Sequence, residues 1–187
     1  MTASIKLRRY FFRFIGWSLL FALVYFLAFH YYASLVVRVA DVVTDVVIPI
    51  TIQPHPKGLV ITSPKALQPI GVPYSLYLIG LNAIFAPALV LTTTGLTLGG
   101  ALRSVAAVLI MLILHVINIM LIVMFYVSHP DNASIVLGFS EPMVATIGWV
   151  YRFFDRMGYA LFPFLAWAIV CPDVIARLVS THDRNPT

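Results

Sequence analysis

Long apolar stretches separated by short polar ones set the frame of this chain. From about Phe11 to Ala33 the run FFRFIGWSLLFALVYFLAFHYYA supplies roughly 20 apolar residues, enough for a helix to cross a bilayer core of about 30 Å. Tyr10 and Trp17 at one end and Tyr31 and Tyr32 at the other stand where interfacial aromatic belts form. A cleaved signal peptide would carry a shorter apolar core, about 7–15 residues, and a small-residue exit. The bulky exit His30-Tyr31-Tyr32 favours an uncleaved anchor. Beyond it, VVRVADVVTDVVIPI sets Arg38, Asp41 and Asp45 on one helical face and valines on much of the other. That pattern predicts a helix lying at the interface or extending the first span outward, with an Arg38–Asp41 ion pair along it.

The character then changes. Prolines at 49, 54, 56, 64, 69 and 73 exclude a continuous helix. Two β-like runs, Ile50–Ile52 and Leu59–Thr62, flank a Pro-His-Pro-Lys-Gly turn and predict a small hairpin-like cap outside the membrane. Two strands alone are marginal, so the cap must rest on the helices or on a partner.

Three further apolar segments follow. Residues 74–93 form the second span, interrupted by Asn82 and by Pro87, which predicts a kink. The short TTTGLTLGG connection makes the third span, about 102–127, its antiparallel neighbour. A polar loop and an interfacial helix occupy about 128–156. The fourth span, about 157–177, is bent by Pro163. The expected fold is therefore an all-α integral membrane protein: one membrane domain over 1–187, four transmembrane helices, and an outer β-hairpin-like cap at about 34–72.

Composition and charge narrow the picture. With 61% hydrophobic and 10% charged residues and a mean hydropathy of +0.96, the chain is far from the roughly 25% charged residues of a soluble domain. The net charge of +5 is scattered, which excludes a nucleic-acid footprint. The one dense basic group, Lys6, Arg8, Arg9 and Arg13, precedes the first span and places the N-terminus in the cytoplasm. Four crossings return the C-terminus to the same side. A single cysteine, Cys171, excludes an internal disulfide and a cysteine zinc site.

Ionisable and amide side chains inside a membrane are the first candidates for chemistry. His115 and Asn118 share a side of the third span, and with Asn82 they define an intramembrane polar seam. His30 sits at the outer aromatic belt. Both histidines are candidate axial ligands for a tetrapyrrole metal, and that cofactor question stays open beside the structural one. Arg152, Asp155 and Arg156, together with Arg38, suit lipid headgroups or a partner's carboxylates. No GxSxG, HExxH or phosphate-binding glycine loop is present. The triplet Asn132-Ala133-Ser134 fits glycosylation only in a eukaryotic secretory setting.

The order LRRYFFRFIGWSLLFALVYFLAF, then the β-like patch before PYSLYLIGLNAIFAPALVL, then YRFFDRMGYALFPFLAWAIV resembles the small exosortase-associated membrane proteins of bacteria. Exosortases themselves use a Cys, an Arg and a His, and LYLIGLNAIFAP and LHVINIMLIV distantly resemble their membrane core. No Cys stands in the early segment here. The resemblance thus implies a non-catalytic relative in the bacterial inner membrane, working with partner membrane proteins. Three functions follow as expectations: an accessory subunit, a sorting or lipid-processing enzyme, or a pigment- or haem-binding subunit.

Overall fold

The computed structural model describes residues 3–64, 68–128 and 139–182, with side chains apart from those of 3–7, 76–81, 159 and 178–182. Lys65, Arg184 and the Asn132-Ala133-Ser134 triplet lie outside the described residues. In chain order come α1 (Ala3–Val47), β1 (Thr51–His55), β2 (Gly58–Thr62), β3 (Ile70–Pro73), α2 (Leu76–Thr94), α3 (Leu98–Ser128), α4 (Glu141–Phe153), a π-helical turn (Phe154–Gly158), α5 (Tyr159–Val170) and α6 (Pro172–His182).

Two helices are long and apolar enough to cross a membrane: Arg8–Val47, mean hydropathy 1.9, and Leu98–Ser128, mean hydropathy 2.9. Glu141–Gly158 and Ala160–Val170 meet that test only when counted together as one broken span. The first span and its outward extension are one uninterrupted helix. No proline interrupts α1, and Pro49 stops it two residues past Val47. At 1.5 Å per residue its 45 residues extend about 68 Å, roughly twice the apolar thickness of a bilayer. Only 11% of its most apolar window is buried within the protein. Leu19, Leu23, Phe26 and Leu27 are all exposed there, a surface that lipid has to cover.

The chain folds as two compact units. The first comprises Met1–Leu27, Leu81–Met111 and Ala160–Thr187; the second comprises Ala28–Gly80 and Leu112–Tyr159. In the first unit Phe14 of α1 stacks on Phe85 of α2, with ring centroids 6.0 Å apart. Helix α2 ends on three successive threonines whose hydroxyls donate to backbone carbonyls one turn back: Thr92 to Ala88, Thr93 to Leu89 and Thr94 to Val90. These bonds satisfy backbone acceptors where water is scarce. Gly95, at φ 75°, closes the helix with an N–H bond to the Leu91 carbonyl. Thr97 then caps α3, its hydroxyl accepting the Gly100 N–H at 3.0 Å.

The second unit holds the sheet, and here the sequence expectation is corrected. The cap is not a hairpin but a three-stranded antiparallel sheet in the order β1-β2-β3. The third strand is the short Ile70–Pro73 segment, whose flanking prolines read as breakers. Pro73 is tolerated because it ends an edge strand. Alternation sends Ile50, Ile52, Leu59, Ile61 and Val72 to one buried face, with Ile52 opposite Ile61 and Leu59 opposite Val72. That face packs into one core with Val36, Val37 and Ala40 of α1 and with Val116, Ile119, Ile122 and Val123 of α3.

The β1–β2 turn consists of Pro56 and Lys57, between the paired residues His55 and Gly58. Proline fixes φ near −65°, so the mirror-image turns usual in tight hairpins cannot form. Gly58, at φ 145°, absorbs the mismatch, and a Cβ there would collide with the Val72 carbonyl of β3. Gly58→Ala should therefore cost about 1–3 kcal/mol or more through strain and lost β2–β3 pairing. Thermal unfolding in neutral detergent checks this: a lowered midpoint is expected, whereas Gly71→Ala, with open space at its Cβ, should have far less effect.

Candidate functional site

The polar side chains of the second unit are not scattered. His115, 1% exposed, accepts or donates through Nδ1 to the Tyr32 hydroxyl at 2.8 Å, and its ring meets the Tyr32 ring edge-on. One turn along α3, Asn118 donates from Nδ2 to the Tyr74 hydroxyl at 2.9 Å. The pair predicted to face one side of a helix does so, and each member takes a tyrosine from another element. Tyr32 had looked like an interfacial belt residue; it turns inward to His115. Asn82, the third member of the predicted seam, belongs to the first unit. It is 4% exposed, and its Nδ2 has no hydrogen-bond partner among the described residues.

Asp41 also departs from expectation. Its Oδ1 accepts the backbone N–H of Ile52 at 2.6 Å rather than pairing with Arg38; no ion pair joins those two among the described residues. Since β1 is an edge strand, this N–H would otherwise lack a ladder partner. The carboxylate thus fastens the sheet to α1, a charge-assisted bond that no i, i+3 pattern would reveal.

Arg152, Asp155 and Arg156 are exposed, and Asp155 and Arg156 sit in the π-helical turn. An i→i+5 turn rotates them out of the α-helical register that would align Arg152 with Arg156. Nearby, Phe125 stacks on Tyr151 with centroids 4.7 Å apart. Gly148 lets the Phe125 ring approach closely.

The first unit contains a cluster that the sequence survey did not single out. Asp173 at the start of α6 receives Arg103 of α3 at 2.7 Å and Arg177 at 2.8 Å. The i, i+4 spacing of Asp173 and Arg177 was a visible signal; the third partner, 70 residues away, was not. Desolvation alone would raise the Asp173 carboxyl, but the hydrogen bonds from Arg177 and Arg103 outweigh it and hold the group below the usual carboxylate range. Beside this cluster Cys171 is fully buried at the break between α5 and α6, where Pro172 ends the helix. Helix α5 therefore ends at Val170, within the 157–177 stretch expected as a fourth span. Burial pushes the Cys171 thiol up, against the pull of Arg103. A raised thiol is a poor source of the thiolate that nucleophilic chemistry needs.

A cavity of about 780 Å³ opens in the second unit, lined by Phe29, His30, Ala33 and Ser34 of α1, the 54–58 hairpin turn, and 73–75. His30 thus faces a cavity that His115 does not line. Among the described residues no group of three or more metal-ligating side chains occurs. Comparison with protein-family models, curated proteins and solved structures gives no match.

The Asp173 cluster makes its own pH dependence. A carboxyl held low by folding contributes stability that is present above the unfolded value of about 3.9 and lost as pH falls through the folded one. Thermal midpoints measured from pH 7 down to pH 3 should fall more steeply for the native chain than for Asp173→Asn. Equal slopes would show that the cluster contributes nothing.

Proposed function

We propose that the chain is a non-enzymatic accessory subunit of a larger assembly in the bacterial inner membrane. On this reading it belongs with the small exosortase-associated membrane proteins, crosses the bilayer four times, and keeps both termini in the cytoplasm. The fourth crossing would be the broken α4–α5 segment. The observation that carries the proposal is the outer part of α1. Counting from the end of the lipid-length stretch at Ala33, the helix continues for about 20 Å. Its sheet-facing strip, Val36, Val37 and Ala40, is buried. Val42 and Val46 on its other side, and Val43 and Val47 further along the strip, are exposed, Val46 by 84%. Apolar side chains beyond the reach of acyl chains favour cover by another protein.

The polar interior supports the same reading. His115, Asn118 and Asp41 are engaged in bonds that hold the fold together, and the buried Cys171 is poorly disposed to react. Membrane lipids are partners of α1 and α3 by the apolarity of those helices.

Purification of the full chain from its own membranes into lipid nanodiscs tests the proposal. The native chain should run as a larger particle with a stoichiometric second membrane protein. Val42→Glu with Val46→Glu should release that protein while leaving the thermal midpoint within about 1 kcal/mol of native stability, since exposed substitutions perturb folding little. A lone monomer for both chains would overturn it.

A further inference from the structure

The cavity of about 780 Å³ has a lining of a particular chemistry. His30 comes from α1, and His55 and Lys57 from the hairpin turn; among the described residues no Asp or Glu lines it. Ser34 and Ser75 add hydroxyls. Around these groups stand Phe29, Ala33 and the prolines at 54, 56 and 73, an apolar wall. Residues 29, 30, 33 and 34 share one face of α1, at the end of its lipid-length stretch, so the cavity receives an apolar wall and a basic rim from adjacent turns.

The turn holds its donors in a fixed arrangement. The backbone N–H of Lys57 donates to His55 Nδ1 at 3.3 Å. An imidazole that accepts at Nδ1 carries its proton at Nε2. That nitrogen is then a donor whether the ring is neutral or charged. Pro56 and the Gly58 backbone fix the turn itself, so the backbone that carries His55 and Lys57 is set before any ligand arrives. One cation and two imidazoles, without a competing carboxylate among the described residues, select an anion with several acceptor oxygens. An apolar wall next to them selects one attached to a hydrocarbon body.

We propose that this cavity binds the phosphate group of an anionic amphiphile, held by His30, His55 and Lys57 with its apolar part against Phe29 and the prolines. Two sources share that chemistry: the headgroup of an anionic membrane lipid, and free phosphate entering from the aqueous side. The site is independent of the accessory-subunit reading, because it is complete within one chain.

The test uses the full chain in neutral maltoside micelles, with histidine side-chain NMR resonances as the readout. The probes are dihexanoyl phosphatidylglycerol, dihexanoyl phosphatidylcholine and inorganic phosphate. Saturable shifts of His30 and His55 with phosphatidylglycerol are expected, at least fivefold weaker for the zwitterionic lipid. A response to phosphatidylglycerol alone assigns a lipid; an equal response to inorganic phosphate assigns the free anion. The double variant His55→Gln, Lys57→Gln should weaken binding at least fivefold. Lys57→Arg should retain it, and Arg177→Gln, in the first unit, should leave it unchanged. No saturable shift with either phosphate probe would overturn the proposal, as would binding indifferent to the double variant.

Discussion

The strip Val36, Val37 and Ala40 on α1, lying under the inner face of the sheet, is the contact on which the second unit depends. Strands this short cannot stabilise one another in isolation. They persist because Ile50, Ile52, Leu59, Ile61 and Val72 have a buried surface to meet, and that surface exists only while α1 remains helical far past the length a bilayer needs. Asp41 lies one turn beyond Val37 and adds a directional bond to this apolar contact. It meets the Ile52 N–H that an edge strand would otherwise leave to water. Apolar packing sets the sheet on the helix, and the carboxylate fixes its register there.

From this follows the divided character of α1. Its first part exposes Phe, Leu and Tyr on several sides and needs lipid. Its second part has one side sealed by the sheet, while the other mixes the exposed Val42 and Val46 with the exposed Arg38 and Asp45. A helix inside a bilayer can be apolar all round, whereas one outside it must account for every uncovered valine. The exposed valines at 42, 43, 46 and 47 therefore ask for a cover that the exposed residues nearer the N-terminus find in lipid.

How much of this could be seen in the sequence depended on the range of the interactions. The helical membrane character and the β-type runs at 50–52 and 59–62 follow from local periodicity and composition, and they were legible. The strand at 70–73 was not, because a four-residue stretch ending in proline has too few positions to show alternation; it is a strand only because β2 offers it an edge. Asp41 was read with Arg38, its sequence neighbour, since a carboxylate's tertiary partner leaves no trace in spacing. For the same reason spacing gives no sign of the bond between His115 and Tyr32, 83 residues away. The shared side of His115 and Asn118 was a helix-periodicity statement. Their tyrosine partners were a matter of topology.

Gly58 joins these threads. A side chain there would strike the Val72 carbonyl, so the close approach of β2 to β3 requires glycine. The same residue, at a φ that other residues avoid, lets a Pro-Lys turn close a two-residue hairpin in which proline forbids the usual turn types. The sheet's compactness and the placing of His55 and Lys57 at the cavity thus rest on a single backbone conformation. The backbone of the basic tip is held by the same geometry that closes the core beneath it.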